Sequence, residues 1–355
     1  MIARWRGRLR GSGEESAGRS APTSVGVPVG GTVLVLGVLS VLLCLVSLAV
    51  GSHSLTLEEV AGAFLPGRTT VASVIVWQLR MPRTVLAVMV GASLAVAGVV
   101  MQGLTRNPLA EPGILGINAG ASLSVVLSMS LLGLTDVSDF LWFAFAGAAL
   151  AAFLVHLMSV RSADAGPARL VLAGVALGAS LRSITGTITM YDSVTFDSYR
   201  FWVLGSLADR DAVLLVWVAP FLVVGLVLAL ASGLTLNALA LGEEQAKALG
   251  VSPRRARALA LTSITLLCGA STAAVGPISF VGLVVPQVLR LALGADQRRL
   301  LAVSLVAGPV LLLAADVVGR VILDSGEMEA GVVTAFIGGP VLLVMVIQRM
   351  GVRGR

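Results

Sequence analysis

Charge is scarce in this chain. Only 12% of its 355 residues are Asp, Glu, Lys or Arg, and a single lysine, Lys247, stands among 25 basic residues. A soluble domain carries about a quarter, so an ordinary water-soluble fold is excluded. Cysteine and histidine are almost absent. Cys44 and Cys268 lie inside apolar runs, His53 at the end of one and His156 within another. Thiols so placed read as buried structural residues. Nothing clusters, so the sequence implies no disulfide framework, no metal site and no cofactor. No convergent His, Asp or Ser set marks a catalytic centre. No G-x-x-x-x-G-K-[ST] loop occurs, so the chain does not bind ATP by that route. Acidic residues deep in the apolar runs are also few, which argues against a carrier driven by protons or sodium.

What is present is apolar sequence. Hydrophobic residues make up 57% of the chain, in continuous runs of about 20, the length that crosses a bilayer as a helix. A membrane β-barrel would alternate instead. The fold class read from this pattern is all-α, with ten membrane spans. Their expected positions are 31–50, 82–104, 112–132, 140–160, 168–190, 212–232, 257–275, 278–293 (short), 300–323 and 331–349. The 40 glycines suit close helix packing in lipid. Residues 1–30, rich in Arg, Gly, Ser and Pro, read as a disordered basic tail ahead of a transmembrane domain at 31–350. The segment after the first span, with Glu58, Glu59 and Pro66-Gly67, reads as extended. Tyr191 to Arg210 reads as a helix lying on the outer surface.

Net charge is +6. The basic residues sit in short loops, so a positive inner face accounts for them better than nucleic acid does. The bias places both termini on the cytoplasmic side of the membrane, together with Leu241 to Gly250. Gly-Ala-Ser-x-Ala-x-x-Gly occurs at Gly91 to Gly98 and again at Gly269 to Gly276. It marks either an internal repeat or chance in a Gly/Ala-rich chain.

Four stretches carry chemistry. Leu241-Gly242-Glu243-Glu244-Gln245-Ala246-Lys247-Ala248-Leu249-Gly250 is a polar helix between spans, with Glu243 and Lys247 one turn apart and Gly250 as its stop. It reads as a handle for a soluble partner or as an ordinary amphipathic loop. Arg106 to Gly113 holds Asn107-Pro108-Leu109-Ala110-Glu111-Pro112, with Pro112 fit to open a helix and Glu111 favoured near its positive end. It is a tight helix–helix turn or a gate. Gly276 to Gln287 places Gly and Pro at membrane depth, as a broken helix or a packing kink. Asp316 and Arg320, four apart, can pair within a span.

In combination these motifs resemble the permease subunits of bacterial iron-siderophore, haem and vitamin B12 ABC importers, the FecCD/BtuC-like permeases. The resemblance rests on Arg80-Met81-Pro82-Arg83, Gly103 to Gly113, Trp202 to Leu207, Leu241 to Gly250, Gly276 to Pro286 and Gly331 to Pro340. It covers nearly all of the chain after the tail. It implies ten spans and ATP-driven import of ferric-siderophore by alternating access. A cytoplasmic ATPase dimer, a second permease and an extracytoplasmic binding protein are the implied partners. It implies an ATPase-coupling helix carrying Leu241, Gly242, Glu243, Glu244, Ala246, Leu249 and Gly250. It implies a cytoplasmic gate at Asn107 and Leu109, and binding-protein docking at Arg80, Arg83 and Arg320. For these arginines, headgroup anchoring or pairing with Asp316 is the alternative. Gln287 and Glu329 depart from the family's usual His and Pro, which suits one member of a heterodimer. Haem or cobalamin as cargo, or an ion-gradient carrier, are the competing functions.

Overall fold

The computed structural model describes residues 28–51, 54–65, 70–160, 167–323 and 326–353. Residues 1–27 of the expected tail lie outside these, as do Pro66-Gly67 and His53. Every regular element among the described residues is helical. In order they are α1 (Val29–Ala49), α2 (Leu57–Ala63), α3 (Val71–Val74), α4 (Met81–Thr105), α5 (Ile117–Leu132), α6 (Val137–Val160), α7 (Pro167–Tyr191), α8 (Ser193–Val203), α9 (Ala212–Ala231), α10 (Gly233–Ala240), α11 (Glu243–Ala248), α12 (Pro253–Val275), α13 (Val281–Leu293), α14 (Gln297–Val321) and α15 (Ala330–Arg353). Among the described residues, eight helices have the length and composition to cross a membrane, and α5 and α13 are shorter apolar helices. Together they match the ten expected spans.

Three differences from the expectation have clear local causes. The segment after α1 is helical, not extended, because Thr56 and Glu59 form a reciprocal cap. Glu59 N–H donates to Thr56 Oγ1 at 3.3 Å and Thr56 N–H to Glu59 Oε2 at 2.8 Å. The Thr-x-x-Glu signature was legible in the sequence. The second span begins earlier, at Val71, since α3 runs through a π-helical turn, Ile75–Arg80, into α4. Pro82 has no N–H to bond back to Gln78, and the coil widens there. Pro112 opens a 3₁₀ turn, Pro112–Leu115, and α5 itself starts only at Ile117. Tyr191 to Arg210 holds α8, whose Trp202 is buried edge-on against Phe140 with ring centroids 6.2 Å apart.

The core is a seam of small residues around α4, which lies against α9, α12, α13 and α14. A Cβ at Gly98 would stand 1.9 Å from the Gly282 carbonyl oxygen, and one at Gly308 would stand 2.1 Å from that of Gly91. Backbones thus touch directly, as close packing in lipid requires. In α4's apolar window 83% of residues are buried, against 11% in α1's. α4 is the axis of the bundle, and α1 lies on its periphery.

Candidate functional site

The polar insert, Leu241 to Gly250, holds α11 and follows directly on α10. Gly242 (φ 120°) and Gly250 (φ 79°) take left-handed turns at either end of α11, where other residues are strained. Gly250 therefore stops the helix as expected. Ala246 is fully buried with Ala238, Leu239 and Ala256, so one face is pinned to α10 and the foot of α12. Val251 N–H closes the turn onto Ala246 O at 2.9 Å. The opposite face is free of the bundle. Glu244, Lys247, Leu241 and Leu249 are exposed, both leucines at 63%. The sequence brought Glu243 within reach of Lys247, but the fold pairs Glu243 with Arg257 of α12. That pair ties α11 to the base of a long helix.

The second constellation is the loop after α4. Arg106 takes a left-handed conformation (φ 51°) to end α4. Asn107 Oδ1 accepts Leu109 N–H at 3.1 Å, and Asn107 O accepts Ala110 N–H at 3.1 Å, which makes a closed Asx turn. Leu109 packs on Leu283 and Val284 of α13 and Met345 of α15. Glu111 was expected to favour the helix opened by Pro112. Instead its Oε1 accepts Phe280 N–H at 2.7 Å, at the start of α13.

The third gathers the arginines. Arg80 Nη1 donates to Leu48 O at 2.6 Å. Arg83 grips Asp316 through Nε at 3.0 Å and Nη2 at 2.8 Å, and reaches Glu327 through Nη1 at 2.6 Å. Arg320 pairs with Asp316, one turn away, and donates to Ser47 O at 2.8 Å and Val50 O at 3.1 Å, the last turn of α1. Arg80 and Arg320 are each only 6% exposed. The alternative reading, pairing with Asp316, therefore describes Arg83 and Arg320 in this state. The carbonyls of α1 and Glu327 as partners had no signal in the sequence. Arg80, Arg83, Arg320, Arg210, Asp136 and Glu327 line a cavity of about 840 Å³. Burial lowers the Arg210 guanidinium from its ordinary value, with Asp209 and Glu329 opposing the shift.

A transmembrane bundle with a free polar helix at one end and a cavity at the other is the shape of a transport subunit. The sequence profile of the FecCD transport family matches residues 38–348. The chain belongs to the FecCD transport family. The ferric enterobactin transport system permease protein FepD of Escherichia coli (strain K12) is 44% identical over 305 residues, which span 85% of this chain and 91% of that one. The vitamin B12 import system permease protein BtuC of Yersinia pseudotuberculosis serotype O:1b (strain IP 31758) is 42% identical over 285 residues, 78% of this chain and 83% of that one. Among solved structures, an inward-facing conformation of a transporter classed as metal-chelate type ABC superposes with a TM-score of 0.79. It is 28% identical and covers 90% of this chain and 99% of its own. This FecCD protein is thus an ABC importer permease, a multi-pass membrane subunit and not itself an enzyme.

Proposed function

We propose that this FecCD permease carries ferric-siderophore complexes into the cytoplasm by alternating access, driven by a separate ATPase dimer that grips α11. The observation that carries this reading is α11 itself. One face is sealed by Ala246 and braced by Glu243–Arg257, while the other offers Glu244, Leu241 and Leu249 to a partner. A braced helix moves its base when pushed, and α12 is that base. The chain has no ATP-binding loop of the Walker type, so the push comes from outside it.

The positive-inside bias supports a cytoplasmic α11 and cytoplasmic termini. On that orientation the loop at Asn107 and Leu109 is the inner gate. The arginine cavity then faces the extracytoplasmic side, where a binding protein delivers cargo to Arg80, Arg83 and Arg320. Those arginines are engaged within the chain, so docking acids would exchange with Asp316 and Glu327. The FepD relative supports siderophore as cargo. Gln287 and Glu329 support a heterodimer with a sister permease.

The test is uptake into proteoliposomes holding both permeases and the ATPase, with cargo-loaded binding protein outside. ATP-dependent accumulation of ferric-siderophore is expected. Uptake by ATPase-free liposomes under an ion gradient would overturn the mechanism. Accumulation of haem or cobalamin but not ferric-siderophore would overturn the cargo.

A further inference from the structure

Phe280 is one of three non-glycine residues with a positive φ among the described residues, with Arg106 and Asp209. It sits between α12 and α13 with φ 70°, a left-handed conformation that bulky residues avoid and that persists only where the surroundings impose it. Three contacts impose it. Its carbonyl accepts Leu283 N–H at 3.0 Å and Val284 N–H at 2.8 Å, which starts α13. Its ring lies on Gly338 of α15, where a Cβ would come within 2.2 Å of the ring. Its own N–H is held at 2.7 Å by Glu111, a residue 169 positions away in the chain.

Glu111 belongs to the same short loop as Asn107 and Leu109. Leu109 and Phe280 both pack on the Leu283, Val284 and Met345 cluster. The loop and the helix break are thus joined twice, by an apolar contact and by a hydrogen bond to a carboxylate. The bond ends at the start of α13, where free N–H groups and the helix dipole favour a negative partner. Directly beneath it, Gly282 touches Gly98 of α4 and a Cβ on it would stand 3.1 Å from Pro112 Cδ, so the loop has little room to move unless α13 moves too.

We propose that Glu111 is a positioning residue that latches the gate loop to the α12–α13 break, so that the loop opens only when the break at Phe280 rearranges. This rests on reading Asn107 and Leu109 as a gate, and extends it. The push on α11 enters at the foot of α12. That helix ends at Val275, and residues 276–280 lead from its far end to Phe280 and the start of α13. Glu111 is the direct bond by which movement there reaches the loop.

The test measures the loop without cargo or ATP. Leu109→Cys in a Cys44→Ser, Cys268→Ser background serves as reporter, labelled by a membrane-impermeant maleimide in vesicles of each orientation, with the partner subunits present. A hydrogen bond to a charged group biases a two-state equilibrium by roughly tenfold or more. Glu111→Ala should therefore raise the labelling rate about tenfold over the same reporter with Glu111 intact. Glu111→Gln keeps an acceptor and should stay within about twofold. Phe280→Gly removes the ring contact and the strain, and should raise labelling in the same way. Unchanged labelling in Glu111→Ala overturns the latch, as does equal labelling of the Ala and Gln variants. Should Glu111→Ala fail to assemble, Glu111→Asp, one methylene too short for the bond, is measured instead under the same criteria. Labelling of the reporter only from the extracytoplasmic side would sink the gate's assigned side, while the ratio between variants still decides the latch.

Discussion

Asp316 carries two arginines at once, and it is 1% exposed. Taking away one partner of a buried ion pair strands the other charge, at about 3–5 kcal/mol. Asp316→Ala strands both Arg83 and Arg320, so the expected outcome is a fall in thermal stability in detergent at or beyond that range. Glu327→Gln removes only a rim contact, since Glu327 is 30% exposed. It should cost under about 1 kcal/mol, and a loss as large as that of Asp316→Ala would contradict this ordering. The Asp316–Arg320 pair was legible in the sequence because four residues make one helical turn. The Arg83–Asp316 bond could be raised from the sequence only as an alternative to docking and headgroup anchoring. Its members are 233 positions apart, and only the packing of α4 on α14 brings them together. Another residue at the edge of a span makes a pH-dependent contribution. The carboxylate of Asp296 lies below its ordinary value, chiefly because Asn237 donates to it at 2.8 Å. A depressed acid stabilises the fold above its ordinary value, and that contribution disappears as pH falls through the lowered one. Asp296→Asn should thus melt below the wild type at neutral pH and together with it in strong acid.

At the scale of elements, α11 is the unit to break. Gly250 holds φ 79° with nothing within 4 Å of a built Cβ. Gly250→Trp therefore strains the stop of α11 and places a bulky ring on its free face without clashing with the bundle. Glu244→Arg reverses a charge that faces away from it. Both variants should lose uptake, by tenfold or more, while still reaching the membrane, as immunoblots of membrane fractions and transport assays would show. Normal uptake by both would remove α11 from the coupling role. Glu243→Arg should also fail, and Arg257→Glu in the same chain should restore part of the loss, because the brace is an ion pair. The stop of α11 was readable from Gly250, and so was its polar face, whereas its start after Gly242 was not. Its brace was not, because Lys247 and Arg257 compete for Glu243 and the fold, not helix spacing, chooses between them. The same limit applied to Glu111. Its place before Pro112 pointed to its own helix, but the 3₁₀ turn carries it across to α13. Residues Leu57 to Ala63 were different, since the reading of them as extended overlooked the Thr56–Glu59 capping signature that the sequence carries.

For the molecule as a whole, the ten spans were legible because a bilayer demands long apolar runs, whatever their partners. The order in which the helices pack was not, because lipid and protein neighbours ask for the same residues. The surface repeats this ambiguity. α1 exposes Leu34, Val35 and Val41, α9 exposes Val216 and Val227, and α15 exposes Phe336, each at 60% or more. In the proposed heterodimer, part of this sheath meets lipid and part the companion permease. Co-expression with the sister subunit should yield, by native mass spectrometry, one copy of each permease with two ATPases. Two copies of this chain in the assembly would overturn the heterodimer. The glycine seam has a genetic consequence. A damaged contact between large side chains can often be repaired by trimming the opposite residue. Where Gly98 meets Gly282, and Gly91 meets Gly308, the opposite residue is already the smallest there is. Second-site suppressors of Gly98→Val or Gly91→Val should never be recovered at the facing position. Revertants would have to restore glycine itself, or shift a whole helix from elsewhere in the chain.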